Sequence, residues 1–219
     1  MRILVTGSSR GIGKAVAEAL LHQGDEVIGL DLLPSSIDHP SYRHFICDIA
    51  SKESLPELEG IEAIFHNAGK QNSEDDILNN LVGTMNVQQK YGFQKSIQAI
   101  LFNASASATS GQEFPAYCAS KGGILSYMRN VAIALAPQGA TVNAISLGGV
   151  LTESNAPVME DTECWAKIMA VTPLKKWTSL EEVADWAVFL LKKNHSMSGQ
   201  NILIDNGEKD LNPTFVWPS

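Results

Sequence analysis

Tyr117 and Lys121 stand four residues apart, a spacing that puts both side chains on one face of a helix. A free phenol, with a pKa near 10, is too weak an acid to act at neutral pH. A neighbouring ammonium stabilises the phenolate and draws that pKa down. Such a pair suits proton transfer to or from an oxygen whose charge changes during a reaction, as when a ketone accepts hydride. Taken alone, it reads more readily as a buried tyrosine and an exposed lysine on an amphipathic helix.

A second chemical feature lies near the N-terminus, in Thr6-Gly7-Ser8-Ser9-Arg10-Gly11-Ile12-Gly13. Glycines between a strand and a helix permit a tight turn and close approach of backbone to a phosphate. The helix start then offers free N–H donors to the anion. Gly7, Ser9, Arg10, Gly11, Ile12 and Gly13 are therefore candidate cofactor contacts. Asp31 follows Gly13 by eighteen residues, close to where a dinucleotide fold places an acid on the adenosine ribose. Its carboxylate would accept hydrogen bonds from the diol and repel a 2′-phosphate, so the expected cofactor is NAD, with NADP less favoured. Arg10 is the opposing feature, available to a 2′-phosphate or to solvent. Leu32, directly after the acid, offers a phosphate nothing.

These groups must be positioned by regular elements. Ile3–Thr6, Glu26–Leu30, His44–Cys47, Ala63–His66, Ile97–Phe102, Thr141–Ile145 and Asn201–Asp205 are short, nearly continuous apolar runs. Runs of this kind suit strands buried on both faces of a parallel sheet. Gly11–His22, Glu74–Tyr91, Ala116–Ala136 and Ser179–Leu191 carry apolar residues at helical spacing. The expected fold is α/β, a doubly wound (Rossmann) parallel sheet of about seven strands with helices on both faces. No repeat, low-complexity run or linker divides the chain, so residues 1–219 are expected to form one domain. The apolar tail Asn212–Pro218 is expected to pack, on its own subunit or a neighbour.

The composition narrows the function classes. With 24 acidic against 16 basic residues and a formal charge of −8, nucleic acid is not an expected partner, because phosphate binding needs clustered Lys and Arg. The only basic runs are Lys175-Lys176 and Lys192-Lys193. No apolar run approaches the roughly 20 residues that span a bilayer, and the first strand leaves no room for a signal peptide. The expectation is a cytoplasmic protein with a small-molecule partner. Cys47, Cys118 and Cys164 and the five histidines lack metal-ligand spacing, so no metal is expected.

Taken in order, these residues resemble the short-chain dehydrogenase/reductase family along nearly the whole chain. Thr6–Gly13 is similar to its cofactor turn, and His66-Asn67-Ala68-Gly69 to its Asn-Asn-Ala-Gly segment. Cys47-Asp48-Ile49 resembles its adenine-contacting acid and the apolar residue after it. Asn80-Leu81-Val82-Gly83 matches the segment of its helix Asn, and Tyr117-Cys118-Ala119-Ser120-Lys121 its Tyr-x-x-x-Lys. Val142–Thr152 resembles its nicotinamide loop, and Ser198-Gly199-Gln200 with Asp205-Asn206-Gly207 its closing strand.

The resemblance implies an oxidoreductase that moves a hydride between a nicotinamide cofactor and a small alcohol or ketone. Tyr117 would be the general acid or base, Lys121 its helper and cofactor ribose contact, and Asn80 the residue that bends its helix and holds a relay water. Asp48, Ile49, Asn67, Ala68, Gly69, Val150 and Thr152 would contact the cofactor. The family's carbonyl-polarising Ser stands thirteen residues before Tyr, which here is Ala104; alignment through Asn103 instead gives Ala106. Ser105 is the favoured substitute and Ser107 the alternative. Leu147 replaces the family's usual Pro, which would loosen the nicotinamide loop.

Residues 153–178, with Glu153, Met159, Trp165, Met169 and Trp177, occupy the interval of the family's substrate lid. The intervals Asp31–Asp48, Asp48–Asn67 and Asn67–Asn80 are short, so one flank should be trimmed. A homodimer or homotetramer is expected through the helix carrying Tyr117. The displaced Ser and Leu147 keep open a non-catalytic NAD(H)-binding redox sensor; an epimerase or dehydratase on the same fold, retaining its cofactor through the cycle, is a third reading.

Overall fold

The computed structural model describes residues 1–111 and 114–211; the expectation for Asn212–Pro218 falls outside them. Seven strands, all parallel, make one sheet: β1 (Arg2–Thr6), β2 (Glu26–Asp31), β3 (Tyr42–Ile46), β4 (Ala63–His66), β5 (Ala99–Asn103), β6 (Thr141–Leu147) and β7 (Asn201–Ile204). Their order is β3-β2-β1-β4-β5-β6-β7. The reversal beside β1 puts a crevice at the C-terminal ends of β1 and β4, where open α/β sheets bind ligands.

Alternation along the strands explains the two apolar layers. Ile3, Val5, Ala63, Phe65, Ala99 and Leu101 face α1 (Gly11–His22), while Leu4, Ile64, Ile100 and Phe102 face the opposite side. Each successive side chain takes the other face, so every central strand feeds both cores. The first layer is completed by Val16, Ala17, Leu20 and Leu21 of α1. α2 (Gly83–Tyr91), α3 (Ser107–Ser110) and α4 (Pro115–Leu135) follow in the chain, and the second layer is completed by Val87 and Tyr91 of α2 and Ile124, Met128 and Val131 of α4.

The helix expected over Glu74–Tyr91 is divided: a π-helical turn at Ile77–Val82 runs into α2. Among the described residues, a short 3-10 turn, Lys52–Ser54, is the only helical piece between β3 and β4, and none lies between β2 and β3. Leu55, Leu58 and Ile61 cover that flank from extended chain, which is the trimming the short intervals imply. After β6 come α5 (Ala156–Glu160), α6 (Thr162–Val171) and α7 (Leu180–Val188). α6 and α7 start on side-chain caps from Asp161 and Ser179. α7 adds Val183, Ala184, Ala187 and Val188 to the first layer.

Candidate active site

The β1–α1 turn is built by close packing of backbone. Gly7, at φ 68°, donates its N–H to Leu30 O at 2.8 Å. A Cβ on Gly13 would stand 2.0 Å from Gly7 O, and one on Gly7 2.9 Å from the Ala68 Cα, so neither position accepts a side chain. Unlike α6 and α7, α1 has no side-chain cap: Arg10 occupies the cap position, its main-chain oxygen accepting the Lys14 N–H while its side chain makes no cap bond. Its first N–H groups thus lie at a glycine-lined turn without a carboxylate or hydroxyl of their own, the arrangement that suits a phosphate.

Asp31 closes the other side. Its Oδ2 accepts the Ser9 N–H and its Oδ1 the Leu33 N–H, both at 2.9 Å. The acid at the end of β2 is therefore fastened to the turn, with lone pairs still available for hydroxyl donors. Cys47 N–H bonds Asp31 O at 2.8 Å, which brings Asp48 alongside. Asp48 accepts the Ala50 N–H at 2.9 Å. Ile49, buried, lies against the start of α2, 2.8 Å from where a Gly83 Cβ would stand.

Tyr42 and His44 sit beneath the turn and carried no sequence signal. The Tyr42 hydroxyl donates to Ser8 Oγ at 2.9 Å and lies 3.1 Å from His44 Nδ1, whose ring reaches Leu33 O through Nε2 at 2.9 Å. Gly29 makes the room, since a Cβ there would meet the Tyr42 oxygen at 2.0 Å. Only the pairing of β2 with β3 reveals that neighbourhood.

From the turn, hydrogen bonds lead to the candidate proton-transfer pair. Thr6 Oγ1 accepts the N–H groups of Asn67 and Ala68 at 2.9 and 3.0 Å, and Asn67 Nδ2 donates to Thr6 O and Gly7 O. Asn67 Oδ1 accepts from Asn103 Nδ2 at 2.9 Å. Asn103, at the end of β5, accepts the Lys121 ammonium on its main-chain oxygen at 2.8 Å. Lys121 Nζ lies 5.7 Å from the centre of the Tyr117 ring. Two asparagines, Asn67 and Asn103, therefore join the cofactor turn to the Tyr117–Lys121 face of α4, a connection that residue types alone do not announce.

Lys121 is 4% exposed. Burial disfavours its charged form and lowers its pKa to about 8, opposed by the charge of Asp76. Gly69 and Asn80 close the same pocket: a Cβ on Gly69 would stand 2.9 Å from Asn80 Oδ1 and 3.7 Å from Lys121 Nζ. Asn80 is wholly buried in the π-helical turn. Its Oδ1 accepts the Lys70 N–H at 2.7 Å, and its Nδ2 donates to Lys70 O and to Ser120 Oγ at 2.8 and 3.0 Å. Ser120 in turn donates to Tyr117 O at 2.7 Å.

The two serines left open by spacing form one pair. Ser105 and Ser107 are both buried, their hydroxyl oxygens 2.6 Å apart, and the Ser107 N–H bonds Ser105 Oγ at 3.3 Å. Ala104 and Ala106 are fixed to β6 instead, through Ile145 O and Leu147 O.

The nicotinamide-side loop is firmer than Leu147 suggests. A proline there would lack the N–H of a paired strand residue, whereas Leu147 is the last residue of β6 and pairs with Ile204 of β7. Val150 bridges to Thr178, and a Cβ on Gly149 would collide with the Trp177 ring. Thr152 reaches the cofactor turn, its Cγ2 4.0 Å from the Cβ position of Gly11. Trp177 is thus packed under the loop and meets Trp165 edge to face at 4.9 Å. α5 and α6 bury no residue completely.

His66, in place of the resemblance's first Asn, stacks on Phe102 at 4.6 Å and bonds Gln88 Oε1 at 2.9 Å. Complete burial lowers its pKa to about 4, so it is a neutral packing residue.

Residues 80–209 match the family model described as enoyl-(acyl carrier protein) reductase, and residues 3–115 that of the NAD dependent epimerase/dehydratase family. Among curated relatives, the 3-oxoacyl-(acyl-carrier-protein) reductase of Buchnera aphidicola is 26% identical, covering 93% of this chain and 95% of its own. The D-threitol dehydrogenase of Mycolicibacterium smegmatis is 29% identical, covering 93% and 91%. Among solved structures, a short chain dehydrogenase family protein from Francisella tularensis superimposes with a TM-score of 0.81 at 25% identity, covering 94% and 98%.

Proposed function

The chain belongs to the short-chain dehydrogenase/reductase family, and from that premise we propose that it moves a hydride between NAD and a small alcohol or ketone. The observation that carries the reading is the continuous set of bonds from Gly7 through Asn67 and Asn103 to Lys121, with Tyr117 beside it. The cofactor cradle and the proton-transfer pair are thereby held in one frame.

The bound nicotinamide would supply the hydride chemistry. The turn fits a pyrophosphate by its glycine packing and uncapped helix start, and Asp31, tied to Ser9, fits a ribose diol better than a 2′-phosphate. Gly11, Ile12 and Gly13 line the phosphate end, Asp48 and Ile49 the adenine, and Asn67, Ala68, Gly69, Val150 and Thr152 the rest. Tyr117 gives its proton to the carbonyl oxygen in reduction and takes it from the hydroxyl in oxidation. Lys121 stabilises the phenolate that results. The Ser105–Ser107 pair holds the carbonyl oxygen: one hydroxyl donates to it while accepting from the other, which strengthens the donor. Asn80 keeps the π-helical turn against Lys121.

Residues 153–178 form the substrate cover, with Met159 and Met169 as wall and Trp177 as its fixed base. A second copy docks on the outer face of α4, where Ile133 is 76% exposed, and sedimentation at micromolar concentration reads that state. The function is tested by mixing the protein with NAD and a panel of small alcohols and sugars, or NADH and the matching carbonyls. Reduced cofactor appearing with an alcohol establishes net dehydrogenation, whereas tight NAD(H) binding without turnover indicates a sensor.

A further inference from the structure

Three acids in succession, Glu74, Asp75 and Asp76, precede the π-helical turn, yet only the last is buried, at 1% exposure. Asp76 Oδ1 accepts both the N–H and the hydroxyl of Ser73, at 3.0 and 2.6 Å. That is ordinary work for an acid in a first helical turn, but it occupies one oxygen and calls for no burial. Oδ2 is buried too and accepts no hydrogen bond among the described residues. A buried carboxylate oxygen without a donor is costly and needs a compensating partner.

No ion pair reaches Asp76 among the described residues; the cation its charge acts on, across the packing of the π-helical segment against α4, is Lys121. Its ammonium has three hydrogens, of which Asn103 O takes one, and Asp76 is the acid whose field acts on it. Among the described residues, Tyr117 lies near the Lys121 ammonium from the same helix, neutral Asn103 and Gly69 approach from β5 and the loop after β4, and Asp76 acts on it by charge from the π-helical segment. We propose that Asp76 is a positioning residue of this site, a buried counter-charge that keeps Lys121 cationic and seated beneath Tyr117. The proposal rests on the roles given above to Tyr117 and Lys121.

The sign follows from electrostatics: removing a negative charge makes every group coupled to it release its proton at lower pH. Asp76→Asn keeps an oxygen for Ser73 and loses the charge. The alkaline limb of carbonyl reduction should move down by about one pH unit, and the acid limb of alcohol oxidation should move the same way. A merely structural role for Asp76 would lower activity at all pH values and leave both limbs in place.

Two readouts keep the inference separable from the proposed function. The first is the pH profile of kcat/KM for wild type and Asp76→Asn. The second is titration of the Lys121 side-chain nitrogen by NMR in the cofactor-free protein, made also on Asp76→Ser in case Asp76→Asn does not fold. Lys121 losing its proton at lower pH in the variants, with the kinetic limb following, supports the inference. An unchanged Lys121 titration overturns it and leaves the Tyr117–Lys121 assignment standing. A wild type without turnover on any carbonyl removes the proposed function, while the Lys121 titration still decides the role of Asp76.

Discussion

Lys121 donates its ammonium hydrogen to the main-chain oxygen of Asn103 across 2.8 Å, and this bond fixes α4 against the end of β5 at the bottom of the site. With the charge held there and burial bringing its pKa to about 8, Lys121 loses its proton inside the working range of an enzyme. Under the proposed mechanism, carbonyl reduction needs the cation to steady the developing tyrosinate. Because kcat/KM reports the free enzyme, it should fall about tenfold per unit above pH about 8 in steady-state assays with NADH. A profile flat to pH about 10 would show that the proton on Lys121 does not govern the step.

The Tyr117–Lys121 pair was legible because helical spacing is written in residue numbers. The partner that seats Lys121 was not, since it is a main-chain oxygen common to every residue. Asp76 was hidden among three acids, two of which are exposed. The serines were ambiguous because the loop after β5 is short for the family's spacing. Neither count along the chain could foresee that Ala104 and Ala106 bond to β6 while Ser105 and Ser107 meet each other. The seven strands were readable from apolar runs, with every end within two residues of the expected one. The division of Glu74–Tyr91 was not, because the i→i+5 bonding of a π-helical turn leaves no signature in residue types.

Asp31 is the test of cofactor choice. Asp31→Asn keeps an acceptor for the turn and removes the charge that repels a 2′-phosphate. The ratio of kcat/KM for NADP over NAD should rise at least about tenfold, the scale of a charged hydrogen bond lost to the diol. An unchanged ratio would place the discrimination elsewhere, with Arg10 the next residue to examine.

The 2.6 Å contact of Ser105 with Ser107 makes the two hydroxyls one unit, and groups acting as a unit are not additive. Ser105→Ala and Ser107→Ala should each lower kcat roughly a hundredfold, the order of one lost donor to a developing oxyanion. The double variant should be no worse than the more severe single. Undiminished turnover in the double variant would take both serines out of the reaction.

His66 gives a prediction for stability. Its folded pKa, about 4, lies below the 6.5 of an unburied histidine. Above pH 6.5 both states are neutral. As pH falls through that value, the unfolded chain gains a proton that the folded one refuses, and stability declines until about pH 4. The total is about 3 kcal/mol. Urea unfolding across this range should show His66→Asn losing less stability than wild type by roughly that amount. Parallel losses in the two proteins would mean that the ring is protonated in place.

The most direct measurement is the turnover of Tyr117→Phe on any carbonyl the wild type reduces. The substitution removes one oxygen and keeps the ring beside Lys121. NADH binding should be retained and kcat should fall roughly a hundred- to ten-thousand-fold, the contribution of a positioned general acid. Full activity in Tyr117→Phe would contradict the assignment of the proton to this residue and with it the mechanism built on the Tyr117–Lys121 pair.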